Sequence, residues 1–280
     1  MGIVNVSYMA SATLPPMKPF MQLAETLGTL AAQLSDSKPV SMELRTWGGR
    51  DVNITTKQAR NLLEACTLKG MLKHMGLGLG ASETCFSCMP FLTRPRLLLP
   101  LCLPYPHIPR PTQPLSLSPP KVPDMISAPV MAKEAKLLST IMDEAPEAAG
   151  SPYWNLVSLR CKRADGTSTK LTGAVFGSTP MLVQVDEFKD LFAFKPEGSY
   201  ILSFRNLDVP GAISEVLTVL HNASINVANV TVARSSAGVS AGQPAQALCF
   251  MALDDDVPTS ALNTLKKLPG LEMVSKIALK

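Results

Sequence analysis

Charge is scarce in this chain: only 17% of its 280 residues are Asp, Glu, Lys or Arg, against 46% apolar, and the net charge is +4. No basic run interleaved with aromatics is present, which removes the usual footprint of nucleic-acid binding. Aromatic residues make up 5% of the chain. No apolar run approaches the roughly 20 residues that span a bilayer. The opening MGIVNVS is too short for a signal peptide, and Val6 stands where a myristoylation motif needs Ser or Thr. A cytoplasmic protein is expected.

Histidine is nearly absent as well. His74, His107 and His221 are far apart, with no carboxylate or nucleophile pattern around them, so no catalytic residue is assigned. His221 falls at the end of an expected helix, where a cation suits the dipole. Six cysteines at irregular spacing read as reduced thiols rather than a disulfide framework. Cys85 and Cys88 have metal or redox spacing but no second pair or positioned His, so no metal site is assigned. No G-x-G-x-x-G opens a helix after a strand. The loop that cradles a dinucleotide pyrophosphate is therefore missing, and no cofactor is expected in this chain.

What is present centres on residues 199–226, SYILSFRNLDVPGAISEVLTVLHNASIN. The β-rich run 200–204 leads into the polar corner Asn206-Leu207-Asp208. Pro210-Gly211 then opens a helix with Ile213, Val216, Leu217 and Leu220 on one stripe. Proline is tolerated in a first helical turn because its missing N–H has no partner there. Free N–H groups beside two short polar side chains can hold a carboxylate. The alternative is that Asp208 merely caps the helix.

The following residues complete a module. A second strand is expected over 225–232 and a third over 245–253, with Ala247, Cys249, Met251 and Leu253 alternating onto one face. The turn-rich loop 235–243 separates them. A helix over 258–268 stops at Pro269-Gly270, and 271–279 closes as a last strand. The order is βαββαβ, the ferredoxin-like split unit.

These residues carry a resemblance. RNLDVPGAISEVLTVLHNASINVANVTVAR, ALCFMALDDDVP and LKKLPGLEMVSKIAL resemble an ACT domain, in particular the one that ends the D-3-phosphoglycerate dehydrogenases. GAVFGSTPMLVQVDEFKDLFAFKPEGSYILSFRN is similar to the join between that family's intervening and ACT domains. PFMQLAETLGTLAAQLSD is similar to the segment that follows its nucleotide-binding domain. The three blocks lie within residues 19–36 and 173–279.

The resemblance implies an α+β architecture: a linker remnant over 1–16, an intervening domain over 17–75 and 123–197, and the ACT domain over 198–280. It also implies that NAD and the catalytic Arg, Glu and His belong to domains preceding this sequence. The chain then holds the regulatory end, with a plastid location open if the preceding part carries a transit peptide. L-serine is the implied effector, bound between the ACT domains of two subunits. By motif, Asn206 and Asp208 fall at the corner between the module's first strand and first helix with Gly211 beside them, and Asn226 falls on the facing strand. Serine-responsive members often have His and then Asn at the two corner positions, a pattern from which this chain departs.

In the first part, helices are expected over 19–34 and 55–75, the second capped by Thr55 or Thr56, with a strand over 40–47 between them. Then the composition breaks. Half of the 24 prolines lie between Pro90 and Pro129, and residues 76–120 hold four charged side chains. Prolines at that density exclude helix and central strand. Residues 76–122 are read as a Pro/Leu-rich insertion, expected to be disordered: translated non-coding sequence, or a genuine proline-rich loop. Beyond it a helix is expected over 130–140 and a hairpin over 153–163 and 168–176, turning at Ala164-Asp165-Gly166-Thr167. A strand follows over 181–185, and Pro196-Glu197-Gly198 is the hinge.

Arg45, Arg50, Lys57 and Arg60 flank one strand–turn–helix unit, and Arg160, Lys162, Arg163 and Lys170 lie on the hairpin. This set either receives a phosphorylated anion or forms a solvated basic face. Two functions stay open. One is the amino-acid-binding, oligomerising portion of a serine-biosynthetic dehydrogenase. The other is a free-standing ACT-type sensor or oligomerisation module acting on another enzyme. Neither needs a nucleic acid or a membrane.

Overall fold

A computed structural model describes residues 14–48, 52–75, 123–142, 153–188, 193–235 and 245–279. The chain divides into two units, Met1–Leu77 with Pro123–Lys280, and Gly78–Val122. The second unit, and with it the expected insertion over 76–122, lies outside the described residues, as does most of the 1–16 linker.

The first unit holds two sheets. Helix α1 (Leu14–Gln33) starts earlier than expected, because Pro15 and Pro16 occupy its first turn at no cost in hydrogen bonds. Met17, Phe20, Leu23, Leu27 and Leu30 form its buried stripe. Strand β1 (Pro39–Gly48) follows, then α2 (Lys57–His74), capped by Thr56, whose hydroxyl accepts from the Ala59 amide at 3.2 Å. Helices α1 and α2 cross in backbone contact at Gly28 and Gly70. A Cβ on Gly28 would strike the Thr67 carbonyl, and one on Gly70 the Glu25 carbonyl. Lys69 and Glu25 pair beside the crossing at 2.8 Å.

Residues 130–140 are not one helix. Helix α3 (Ala128–Glu134) ends and strand β2 (Leu138–Met142) begins. Lys136 adopts a left-handed φ of 56°, and the Leu137 amide reaches back to the Ala132 carbonyl at 2.9 Å. This is a helix stop of the kind glycine usually makes. Strands β3 (Asn155–Arg163), β4 (Ser168–Phe176) and β5 (Thr179–Val185) complete a five-stranded sheet of order β2-β1-β3-β4-β5. The β1/β2 pair is parallel and the rest antiparallel.

The second sheet holds β6 (Tyr200–Leu207), β7 (Val227–Arg234), β8 (Gln246–Leu253) and β9 (Leu271–Ala278) in the order β7-β8-β6-β9, with every neighbour antiparallel. Helices α4 (Ala212–Asn222) and α5 (Thr259–Leu265) cover one face, burying Leu202, Phe204, Val216, Leu220, Met251 and Leu265. The expected βαββαβ order is present. One expectation about its faces fails: Leu217 lies off the buried stripe, 39% exposed. Strand β8 alternates as expected, with Cys249, Met251 and Leu253 toward the helices, and it buries Leu248, Phe250 and Ala252 on its other side as well. Its second face, with Ile201 and Ile277, joins the core that contains α1, Phe188 and Phe194. The Phe194 and Phe250 rings meet at 5.3 Å.

Candidate functional site

The corner forms where β6 runs out. The Leu207 amide bonds to the Gly270 carbonyl at 3.2 Å and the Asp208 amide to Ala245 at 2.8 Å, which fixes the chain as it leaves the sheet. The helix begins one step later than the motif suggests. Gly211 is its N-cap at φ 95°, so Pro210 stands outside the helix rather than in its first turn. A side chain at 211 would be strained by that φ, although nothing crowds its Cβ position.

Asn206 is 4% exposed and lies opposite Ala247 on one side and Leu271 on the other. Its Nδ2 donates to the Leu207 carbonyl at 2.7 Å, while its Oδ1 is buried with no hydrogen-bond partner. A lone acceptor of this kind is costly unless a donor is supplied. Asp208 does not cap α4: its Oδ2 forms an ion pair with Arg234, 2.8 Å from Nε. Arg234, absent from the motif reading, is the last residue of β7 and 75% exposed. Nothing local in the sequence signals this pair, because its partners come from different strands.

Asn226 is exposed and sits elsewhere. Its Nδ2 donates to Asp254 Oδ2 at 2.6 Å, and its carbonyl accepts from the Asp254 amide at 3.2 Å. The residue after it, Val227, pairs with Leu253, which pairs with Tyr200 at the start of β6. Asn206 pairs with Ala247 near the other end. Within one chain, then, Asn226 is separated from Asn206 by most of the strand length, roughly 20 Å at the usual rise per residue.

The two edges of this sheet differ. Edge strand β9 is occupied: the Gln33 carboxamide donates to the Ala278 carbonyl at 2.9 Å and accepts from its amide at 3.0 Å. Ser275 Oγ donates to the Leu34 carbonyl at 3.0 Å. Edge strand β7 leaves Val230 and Val232 about 40% and 36% exposed.

The basic residues of the first sheet divide between its two faces, and the register puts Arg45, Arg160, Lys162 and Lys170 together on the face opposite the buried Val157, Leu159 and Cys161. Arg163 turns into the core, donating to Thr169 Oγ1 at 2.7 Å and the Ala31 carbonyl at 3.0 Å. Arg45 pairs with Glu43, and Arg60 Nε donates to Thr46 Oγ1 at 3.3 Å. Arg160 and Lys170 lie side by side on the sheet's other face, and Lys57 is exposed at the start of α2. A cleft of about 700 Å³ beside Pro16, Phe20, Trp154 and Phe176 has no charged residue among the described residues of its lining. Arg50, Cys85, Cys88 and His107 lie outside the described residues. Among the described residues no cluster of His, Cys, Asp or Glu suits a metal, and no helix is long and apolar enough to cross a membrane.

Residues 200–270 match the ACT domain family, and the second sheet with α4 and α5 is an ACT domain preceded by an α+β region. The chain is similar over nearly its whole length to D-3-phosphoglycerate dehydrogenases. It is 23% identical over 278 residues to that of Methanocaldococcus jannaschii, covering 99% of this chain and 41% of that protein. It is 23% identical over 269 residues to that of Synechocystis sp., covering 96% and 38%. Over 153 residues it is 27% identical to that of Archaeoglobus fulgidus, covering 51% and 27%. The chain thus spans less than half the length of each of these relatives, and the match is consistent with the C-terminal, regulatory part of such an enzyme.

Proposed function

We propose that this chain is a regulatory portion of a phosphoglycerate dehydrogenase, binding an amino-acid effector, L-serine, where two ACT domains meet. The observation that carries this reading is the asymmetry of the ACT sheet's edges. Gln33 covers the end of the β9 edge at Ala278, whereas β7 exposes β-branched side chains and, among the described residues, has no strand on its outer edge. A two-fold axis through an antiparallel β7–β7 pairing centred on Val230 sets residue 226 of one chain against residue 234 of the other. The partner's Asn226 then arrives at the Asn206–Asp208–Arg234 corner, which Asn226 of the same chain is too far along the sheet to reach. In this reading Asn206 Oδ1, Asp208, the amides after Gly211 and the partner's Asn226 surround one small zwitterion.

The chain supplies no dinucleotide loop, so NAD binding and oxidation of 3-phosphoglycerate are assigned to the remainder of a longer enzyme. Similarity to dehydrogenases along nearly the whole chain favours this over a free-standing sensor. Because ligand binds the dimer and not the monomer, it tightens association by mass action. Sedimentation equilibrium of the full chain with and without L-serine tests the reading. A dimer that strengthens with serine supports it. A monomer under both conditions removes the interface, and an unchanged dimer constant removes serine as effector.

A further inference from the structure

We infer that Arg234 is the residue by which the corner reads an α-carboxylate, and that the Asp208–Arg234 pair is a two-ended receptor for a zwitterion. The inference rests on the proposed effector reading and adds a residue which that reading lacked. A zwitterion needs a cation for its carboxylate. The motif residues offer an anion and two amides, and the cation comes from the neighbouring edge strand.

Arg234, Ala247 and Asn206 form one row across β7, β8 and β6. By alternation with Leu202 and Phe204, this row lies on the side of the sheet that α4 and α5 cover. Between the two polar side chains stands Ala247, itself 1% exposed. Arg234 Nε lies 2.8 Å from Asp208 Oδ2. Among the described residues Asp208 is the one ion-pair partner of this guanidinium, whose planar fork matches a carboxylate. Asp208 in turn commits one oxygen, Oδ2, and is 30% exposed. Its other oxygen can take an ammonium.

Two further features point to a ligand at this place. Asn206 Oδ1 is a buried acceptor without a donor. The N-terminus of the 11-residue helix α4 adjoins it, with open space at Gly211. The assignment is therefore Arg234 Nη to the carboxylate, Asp208 to the ammonium, and Asn206 Oδ1 to a hydrogen donor on a short side chain. The ligand class is a small amino acid with a polar donor near its Cα. In the absence of ligand the two ends hold each other, so an isolated cation or anion competes with an existing pair and a zwitterion satisfies both ends at once.

The experiment is calorimetric titration of the full chain with a panel of amino acids, each matched to the amine that lacks its carboxylate, as ethanolamine is to L-serine. Wild type is expected to prefer the amino acid by at least about tenfold, the scale of one charge-assisted bond. Arg234→Ala should weaken the amino acid about 10- to 100-fold without weakening the amine, which no longer competes with the arginine for Asp208, so the preference disappears. Arg234→Lys, which keeps the charge but loses the fork, should fall between them. Equal affinity of wild type and R234A for the amino acid overturns the inference while leaving the effector reading intact. So does an equal loss for acid and amine, which would mark Arg234 as structural. Failure of every amino acid to bind wild type overturns the effector reading, and this inference with it.

Discussion

Asp208 and Arg234 form an ion pair at 2.8 Å, with the arginine three-quarters exposed. A pair in that setting gives little stability, typically below 1 kcal/mol, because water screens it and both side chains lose freedom. Asp208→Ala should therefore abolish an effector response while lowering unfolding free energy by no more than about 1 kcal/mol in urea titration. A larger loss would mean that the carboxylate supports the start of α4 after all. The cysteines show the opposite behaviour at the same scale. Burial pushes the Cys66 and Cys249 thiols up to about 12 and raises Cys161 as well. Only the thiolate is nucleophilic, so at pH 8 these groups are both protonated and covered. Iodoacetamide should leave all three unmodified in the native chain and label them once urea unfolds it, read by peptide mass spectrometry. Rapid labelling of any of them in the native state would contradict the burial.

At the scale of elements, the decisive contacts are those of backbone with backbone. Gly28 and Gly70 let α1 and α2 approach until each helix touches the other's carbonyls. Those neighbours are backbone atoms in a packed core and cannot rotate away. Gly28→Ala should cost about 1–3 kcal/mol, as overpacked cores do, and chemical denaturation measures it. Lys136 is the converse case, a lysine held at φ 56° between α3 and β2. Lys136→Gly should raise stability by roughly 0.5–1 kcal/mol, the relief of left-handed strain less the added freedom of the unfolded chain. The same two sites explain what was legible. Periodicity revealed α1, α2, α4 and the strands of the ACT module, because each is a local pattern of apolar residues. The α3–β2 break was hidden, because its stop signal is normally glycine and here is lysine. The glycine crossing was hidden too, since a helical glycine announces its partner only once two helices are side by side. At the corner, Asn206, Asp208 and Gly211 were legible from their order along the chain. Arg234 was not, because β-sheet pairing alone brings it to Asp208.

At the scale of the molecule, the ACT sheet is buried on both sides. Helices α4 and α5 cover one face, and the core of the preceding α+β region covers the other. Three polar links reinforce that second contact. Gln33 clasps the Ala278 backbone, Ser275 donates to Leu34, and Arg205 pairs with Asp186 at 2.7 Å while standing 5.3 Å over the Phe188 ring. Burial raises the Asp186 carboxyl above its ordinary value despite that arginine. Arg205 immediately precedes Asn206, so β6 carries the junction on one face and the corner on the other. Cutting the chain at residue 199 would strip the cover from Ile201, Leu248, Phe250, Ala252 and Ile277, all buried in the full chain. An apolar sheet face of that kind drives association when exposed. The fragment 199–280 should therefore bind a hydrophobic dye, self-associate beyond a dimer and unfold at lower urea than the full chain. Phe250→Ala in the full chain should lower stability by about 3–5 kcal/mol, the cost of a large aromatic removed from a core. It should also reduce hydrogen-exchange protection in both sheets together, since Phe250 packs against Phe194. Loss of protection confined to 200–279, or a fragment that stays soluble and as stable as its parent, would show that the ACT domain stands independently of the region before it.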